Sequence, residues 1–421
     1  MIILENAEYL GPNLSVHQGN IVVDKKIIVK ILNSSETLPQ GGERLDCSGL
    51  LVAPGFINCH THNPASCFRG LFRDTPIENW CNENTAEGRR QIRAFEYVDS
   101  ISGTQDMSVL LDFAYAELAA QGVTTIVETG QGDDSEEDLI HALDRSGLRG
   151  IIDVYEKAAD FQLRETNRIH FCTHLPEEED ADHVELQKCR ELAGKFPGLR
   201  MTHCLETKWR RVEILRRFGK SSPDVFKDYG LLDKQTVLFH LVHTNEQDLD
   251  LIQAAGAKAV LCPVSNMWSG TGIPNLSAIL DKSIPAGLGT DFIYADFWDV
   301  MRTTYMLLKS LGEAAKYSAE DVYSLGTTGG AEVIGMKAKL GILQEGAYAD
   351  MVFLDLSNPQ IQPVIKKEPA TFIHNLINHG NSALVKHVMG SGEWIKKDWK
   401  LIKIDLEHTI AKYKEVIGKM Y

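Results

Sequence analysis

The sequence predicts an α/β protein: a parallel (β/α)8 TIM-like barrel carrying a small β-sandwich domain built from both chain termini. Three observations predict it. Eight short apolar runs alternate with amphipathic stretches from Leu51 onwards, as strands buried on both faces and joined by crossover helices do. Segments of strand character flank that region at both ends. The chain has 421 residues, room for one barrel of roughly 250 and a smaller domain.

The elements follow in order. Residues 1 to about 50 read as strands: IVVDKKIIVKI clusters β-branched residues, and GPN and GGE punctuate it as turns. The eight runs are LVAPGFINC, GVTTIVE, LRGIIDVY, IHFCT, LRMTHCL, TVLFHLV, AKAVLCP and PAGLGT. The stretches between most of them read as helices, among them Met107 to Gln121, His183 to Gly194 and 245–256. Only 13 residues separate Tyr155 from Ile169, so the third helix is expected to be short. The acidic run EEED at 177–180 reads as the solvated opening of a helix. Helical segments follow at about 298–311 and 319–335, ADMVFLDL and LVKHVMGSGEWI return to strand character, and DLEHTIAKYKEVIGKMY reads as a closing helix. The expected division is a β-sandwich from 1–50 and 341–421, with its C-terminal helix, and a barrel from 51–340.

Composition narrows the function. Hydrophobic residues make up 43% and charged residues 24%, as in globular proteins. The net charge is −15 and no basic run stands out, which excludes nucleic-acid backbones and anionic membranes as expected partners. No signal peptide or transmembrane run is legible, so a cytoplasmic location is expected. The eight cysteines are scattered without C-x-x-C pairs, and read as buried thiols rather than a disulfide or zinc-finger framework.

The chemistry gathers at strand ends. His60 and His62 close the first run, and residues i and i+2 of a strand face one side. Two imidazoles at the C-terminal mouth of a barrel make half a metal site. H-x-H alone is weak, since two polar residues in a turn read the same. Later strands strengthen it: the fourth ends at His174, the fifth at His203 with Glu206 beyond, the sixth at His240 and His243, and the eighth at Asp291. Histidines serving only as core or surface residues have no reason to collect at strand ends.

These segments resemble the amidohydrolase superfamily, in the branch of S-adenosylhomocysteine and adenosine deaminases, guanine deaminases and triazine hydrolases. The residues that carry the resemblance are PGFINCHTHNPASCFRG at 54–70, THCLET at 202–207, HLVHTNEQD at 240–248, CPVSN at 262–266, LGTD at 288–291 and GILQEGAYADMVFLDL at 341–356. The resemblance implies one divalent metal held by His60, His62, His203 and Asp291, zinc first, with iron or manganese as alternatives. It implies hydroxide at neutral pH from a water on that ion, with Asp291 accepting the water's proton. Glu206 would carry a proton to the ring nitrogen beside the attacked carbon, and His240 would orient the hydroxide. Read from its position alone, Glu206 is also a helix N-terminal acid.

For substrate binding the resemblance implies His174, Arg69, Asn79, Trp80 and His243. Arg69 serves equally as a salt-bridge partner, Trp80 as core packing and His243 as structural support. Nucleoside deaminases of this branch place a carboxylate just before the Trp, and here Asn79 stands there, which argues against a ribosyl substrate. Phe292, Ile293 and Tyr294 after Asp291, with Met267 and Trp268, suggest apolar walls for a flat heteroaromatic ring. The expected reaction is hydrolytic deamination of an aminated heterocycle: purine, pterin, pyrimidine or triazine. Alternatives are hydrolysis of a ring amide or aryl chloride, deamination of a nucleoside, and a silent binding relative. The expected partners are a small-molecule substrate and further copies of the chain in a homo-oligomer.

Overall fold

The computed structural model describes residues 1–421 apart from 73, 130–134, 293 and 367–369. Among the described residues, nine parallel strands form one curled sheet. Eight follow in sequence order: Phe56–His62, Val123–Glu128, Arg149–Asp153, Ile169–His174, Arg200–Cys204, Thr236–His240, Lys258–Leu261 and Ala286–Leu288. The ninth, Asp291–Phe292, returns to the first, with Asp291 opposite Thr61 and Phe292 opposite His62. Inside the curl lies an apolar core that includes Ile57, Val127, Ile151, Met201, Val237 and Val260. Three of the cysteines, Cys59, Cys172 and Cys262, are buried there as free thiols.

The crossover helices start and stop where side chains satisfy their open ends. Asn245 and Asp248 form a reciprocal capping box on Glu246–Ala255, and Gly256 ends that helix at φ 67°. Asp182 accepts from the backbone N–H of Val184 and of Glu185 to open His183–Lys195. The helix Gln105–Ala120 buries most of its surface, as its apolar sequence requires. The third crossover is short, as its spacing predicts: the four-residue helix Ala158–Phe161 between two 3-10 turns.

The structure divides the first apolar run in two. Leu50–Pro54 joins the terminal sheet, and Phe56–His62 opens the curled one. Gly55 sits at the division, where a Cβ would lie 2.3 Å from Thr124 side-chain atoms. The EEED run is also corrected. It forms a turn ahead of the helix that Asp182 caps, and Glu178 within it is 2% exposed. Its charges are drawn inwards by Arg210, which pairs with Glu177 and Glu179.

Among the described residues, a second, mixed sheet of nine strands draws on both termini. Met351–Asp355 lies antiparallel to Leu50–Pro54, which brings the chain's last third beside its beginning. The buried pair Arg149–Asp350, at 3.1 Å, ties this sheet to the curled one, and Lys396 Nζ donates at 2.8 Å to the carbonyl of Ala120, the last residue of the helix Gln105–Ala120. The last helix, Leu406–Met420, packs on Gln105–Ala120, where Tyr413 stacks on Phe113 with centroids 4.0 Å apart. Among the described residues, no helix is long and apolar enough to cross a membrane.

Candidate metal centre

His60, His62, His203 and Asp291 converge at the C-terminal end of the curled sheet. His60 Nε2 lies 3.0 Å from Asp291 Oδ1 and 3.2 Å from His62 Nε2. His62 Nε2 lies 3.3 Å from Asp291 Oδ1 and 3.3 Å from His203 Nε2. Three Nε2 atoms and a carboxylate oxygen cannot all be satisfied by protons shared among themselves. Ligands at the 2.0–2.1 Å typical of zinc stand about 3.3 Å apart along the edge of a tetrahedron. The donor set and its spacing therefore fit a divalent ion.

Local backbone irregularities produce this convergence. The first strand slips register against its neighbour between Asn58 and Thr61. Cys59 packs into the inner core, yet the next residue, His60, also faces inwards and stacks on Phe239 at 4.0 Å. A bulge is the device that lets two consecutive residues do so. His240 follows Phe239 in the same way, at φ 71°, and Asp291 has φ 61°. Non-glycine residues in this region are strained, and such strain gathers at functional sites. Gly289 lets the eighth strand pass close: a Cβ there would sit 2.8 Å from that of His60. Asn58 and Thr290 lock the two strands together through bonds of 2.8 and 3.0 Å.

A second layer of side chains holds the imidazoles. Thr129 Oγ1 lies 2.8 Å from His60 Nδ1, and Glu177 Oε1 lies 2.5 Å from His203 Nδ1. Such contacts fix which ring nitrogen is left for a metal. Ser265 Oγ donates to Asp291 Oδ2 at 2.5 Å. Burial pushes the His60 imidazole well below its ordinary value despite Asp291 beside it, whereas at His62 burial is outweighed by the same carboxylate and the imidazole is raised. Burial alone would raise the Asp291 carboxyl, but His240, His60 and His62 outweigh it and hold it well below the usual carboxylate range. His174, Glu177 and His203 also lie close together. The 2.5 Å ion-pair contact within that group is shorter than the edge of a coordination shell.

The remaining residues singled out in the sequence divide by position. His240 is fully buried near His60, His203 and Asp291. Asn266 Nδ2 donates to its Nδ1 at 2.9 Å, which leaves the ring proton on Nε2, an atom without a hydrogen-bond partner among the described residues. Glu206 is 5% exposed and accepts from Arg210 Nη1 at 3.0 Å. His174 shares a 2.6 Å hydrogen bond from Nδ1 with Asp153. His243 Nε2 bonds the Thr271 carbonyl at 2.9 Å, a supporting contact on the rim. Arg69 is half-exposed and pairs with Glu117 through both nitrogens of its fork, at 3.0 and 2.6 Å. Asn79 lies exposed on the short helix Ile77–Trp80.

Trp80 is buried in an aromatic wall that begins at His62. Phe292 packs 6.0 Å from the His62 ring, and Trp80 stacks on Phe292 at 5.5 Å and on Phe72 at 5.1 Å. Trp268 extends the wall from Trp80 to Tyr294, at 5.8 Å from each. Met267 is 41% exposed, and Ile293 lies outside the described residues.

Sequence reasoning did not find Thr129, Glu177, Arg210, Ser265 or Asn266 as supports. Ser265 and Asn266 lie within CPVSN, a motif noted without a role. Glu128 was likewise unread: it accepts from the backbone N–H of Asn63 at 2.8 Å, and burial pushes its carboxyl up to about 7. Nothing in its local sequence distinguishes it from an ordinary strand residue.

The amidohydrolase family profile matches residues 51–395. A 5-methylthioadenosine/S-adenosylhomocysteine deaminase of Pyrococcus abyssi is 27% identical over 429 aligned residues, with 96% of each chain covered. A solved adenosine deaminase from Xanthomonas campestris with bound zinc superposes with a TM-score of 0.88 at 21% identity, over 100% of this chain and 98% of that one. An atrazine chlorohydrolase from Arthrobacter aurescens, complexed with zinc, gives 0.85 at 17% identity, over 99% of this chain and 100% of that one. At these identities the solved structures establish a shared fold.

Proposed function

The chain belongs to the amidohydrolase family, and from that premise we propose that it is a metal-dependent hydrolase that deaminates an aminated heterocycle, replacing ring C–NH2 by C=O with release of ammonia. The observation that carries this reading is the convergence of three Nε2 atoms and Asp291 Oδ1 at 3.0–3.3 Å beside buried, proton-carrying side chains. His60, His62, His203 and Asp291 would hold one divalent ion, and the solved neighbours that name zinc favour that ion. A divalent ion supplies Lewis acidity there, lowering the pKa of a water to about 7.

The chain's own groups handle the protons. Asp291, ionised and gripped by Ser265, takes a proton from the attacking water at its carboxylate. Glu206 moves a proton to the ring nitrogen beside the attacked carbon. His240 presents its unpartnered Nε2–H to the oxygen that gains charge. His174, oriented by Asp153, faces the substrate. Trp80 and Phe292, stacked on each other, and Trp268, edge-on to Trp80, supply an apolar wall against which a heteroaromatic ring packs.

The fold reading has a finer form. Two residues separate Ala286–Leu288 from Asp291–Phe292, and we read both as one interrupted eighth strand closing a (β/α)8 barrel over 51–340. The mixed sheet encloses a core of its own, including Leu4, Ile21, Val52, Met351 and Phe353, which supports a folded-over sandwich of 1–50 and 341–421.

A free or base-like ring is the favoured substrate, because the exposed Asn79 offers no charge to a sugar diol and the aromatic wall narrows the mouth. A ribonucleoside is the second reading, favoured by the name of the Pyrococcus relative. Ammonia release settles the choice: kcat/KM is measured for adenosine, S-adenosylhomocysteine and 5′-modified adenosines against guanine, isoguanine, aminopterins and aminotriazines. Nucleosides turning over faster than every free ring overturn the preference, and no ammonia from any compound overturns the deaminase reading.

A further inference from the structure

Arg210 connects two parts of the site that the proposed reaction uses separately. It lies on the helix Lys208–Phe218, one turn beyond Glu206, with a side chain 9% exposed. Its Nη1 donates to Glu206 Oε2 at 3.0 Å. Its Nη2 donates to Glu177 Oε2 at 2.5 Å, and the other oxygen of that same carboxylate lies 2.5 Å from His203 Nδ1. Glu179 takes the rest of the fork, from Nη2 at 2.5 Å and Nε at 3.0 Å. The face of Trp209 lies 5.4 Å from the guanidinium carbon. One rigid cation thus holds three carboxylates, two supplied by the acidic run ahead of the fourth crossover helix.

We propose that Arg210 is a positioning residue that sets the metal centre and the proton-transfer carboxylate in one register: through Glu177 it fixes the His203 ring, and through Glu206 it fixes the group that carries the substrate's proton. The argument is geometric. A carboxylate on Nδ1 of a ligand imidazole determines that Nε2 faces the metal, and it does so only if the carboxylate is itself held. Glu177 is held by Arg210, and its other basic neighbours within 4 Å among the described residues are imidazoles, His203 at 2.5 Å and His174 at 3.9 Å. A planar guanidinium reaches Glu206 and Glu177 from different nitrogens at once, whereas a lysine ammonium is a point charge on a flexible stem. Arg210→Lys therefore keeps the charge and loses the simultaneous fixing.

The inference rests on the metal-dependent reading of the site, but its test needs no substrate. The full chain is loaded with one Zn2+ and mixed with excess chelator, and zinc loss is followed with a colorimetric indicator. Outer partners of metal ligands are typically worth about 10–100-fold in metal affinity. Glu177→Gln and Arg210→Lys are each expected to speed zinc loss within that range. The double variant should be no faster than the faster single, because both changes break one chain of contacts. Glu206→Gln should lose zinc at the wild-type rate, since it lies on the other branch. Should Arg210→Lys fail to fold, Glu179→Gln/Arg210→Gln, which removes a carboxylate along with the cation, takes its place with the same expectation. Wild-type zinc retention in the Arg210 variant, or multiplied effects in the double, overturns the proposal. Coupled zinc loss in a protein that releases no ammonia from any heterocycle leaves Arg210 in its role and removes the deaminase reading instead.

Discussion

Replacing Glu206 by Gln isolates proton transfer from everything else the residue does. The side chain is buried, 5% exposed, and its contact with Arg210 Nη1 spans 3.0 Å. The amide oxygen of Gln can still accept that hydrogen bond, and volume is unchanged, so packing is preserved. What is lost is charge assistance, on the order of 1 kcal/mol of stability. The catalytic loss is larger, because an amide cannot pick up and release a proton near neutrality. A positioned general acid/base is typically worth about 10²–10⁴-fold, or roughly 2.7–5.5 kcal/mol of transition-state stabilisation. The expected outcome is a folded protein with wild-type zinc content and a kcat lowered by that factor. The assay pairs ammonia release on the best substrate of the heterocycle panel with elemental analysis of the same sample. A Gln variant that keeps more than about a tenth of wild-type turnover, against the hundredfold minimum expected of such a group, would remove Glu206 from the mechanism.

Further expectations follow from other parts of the molecule. Gly289→Ala forces a Cβ to within 2.8 Å of the His60 Cβ and 3.0 Å of Cys262 Sγ; it should cost about 1–3 kcal/mol in urea unfolding and weaken zinc retention, and unchanged values for both refute the close-approach argument. Elemental analysis should give one tightly bound ion per chain, because the fourth strand ends Cys172, Thr173, His174 without a lysine to form a bridging carbamate; two ions at the site contradict this. Burial lowers the Lys396 ammonium from its ordinary value to about 8. Between about pH 8 and 10.5 the unfolded chain binds more protons than the folded one, so this group adds stability as pH rises through that window. Lys396→Met gives up the hydrogen bond to the Ala120 carbonyl at every pH, and its stability relative to wild type should fall by on the order of 1–3 kcal/mol between pH 7 and pH 10. Urea melts across that range test this, and a difference that stays constant with pH refutes it.

By itself, the sequence determined what periodicity and residue chemistry can encode. Buried parallel strands need continuous apolar runs, so the strands of the curled sheet were legible, as was the short crossover between Tyr155 and Ile169. Histidine, aspartate and glutamate are rare enough at strand ends that His60, His62, His203 and Asp291 stood out together, in the order of motifs that carries the family. Tertiary structure decided what depends on approach between distant segments. The split of the first run at Gly55 follows from whether Leu50–Pro54 finds Met351–Asp355, some 300 residues away. The bulge between Asn58 and Thr61 and the positive φ of His240 and Asp291 turn these side chains inwards, and no local pattern specifies them. EEED carries the same letters whether solvated or buried. Only the arrival of Arg210 from the next crossover, bringing a compensating charge, makes burying Glu178 and half-burying Glu177 tolerable and fastens that run to His203 and Leu205.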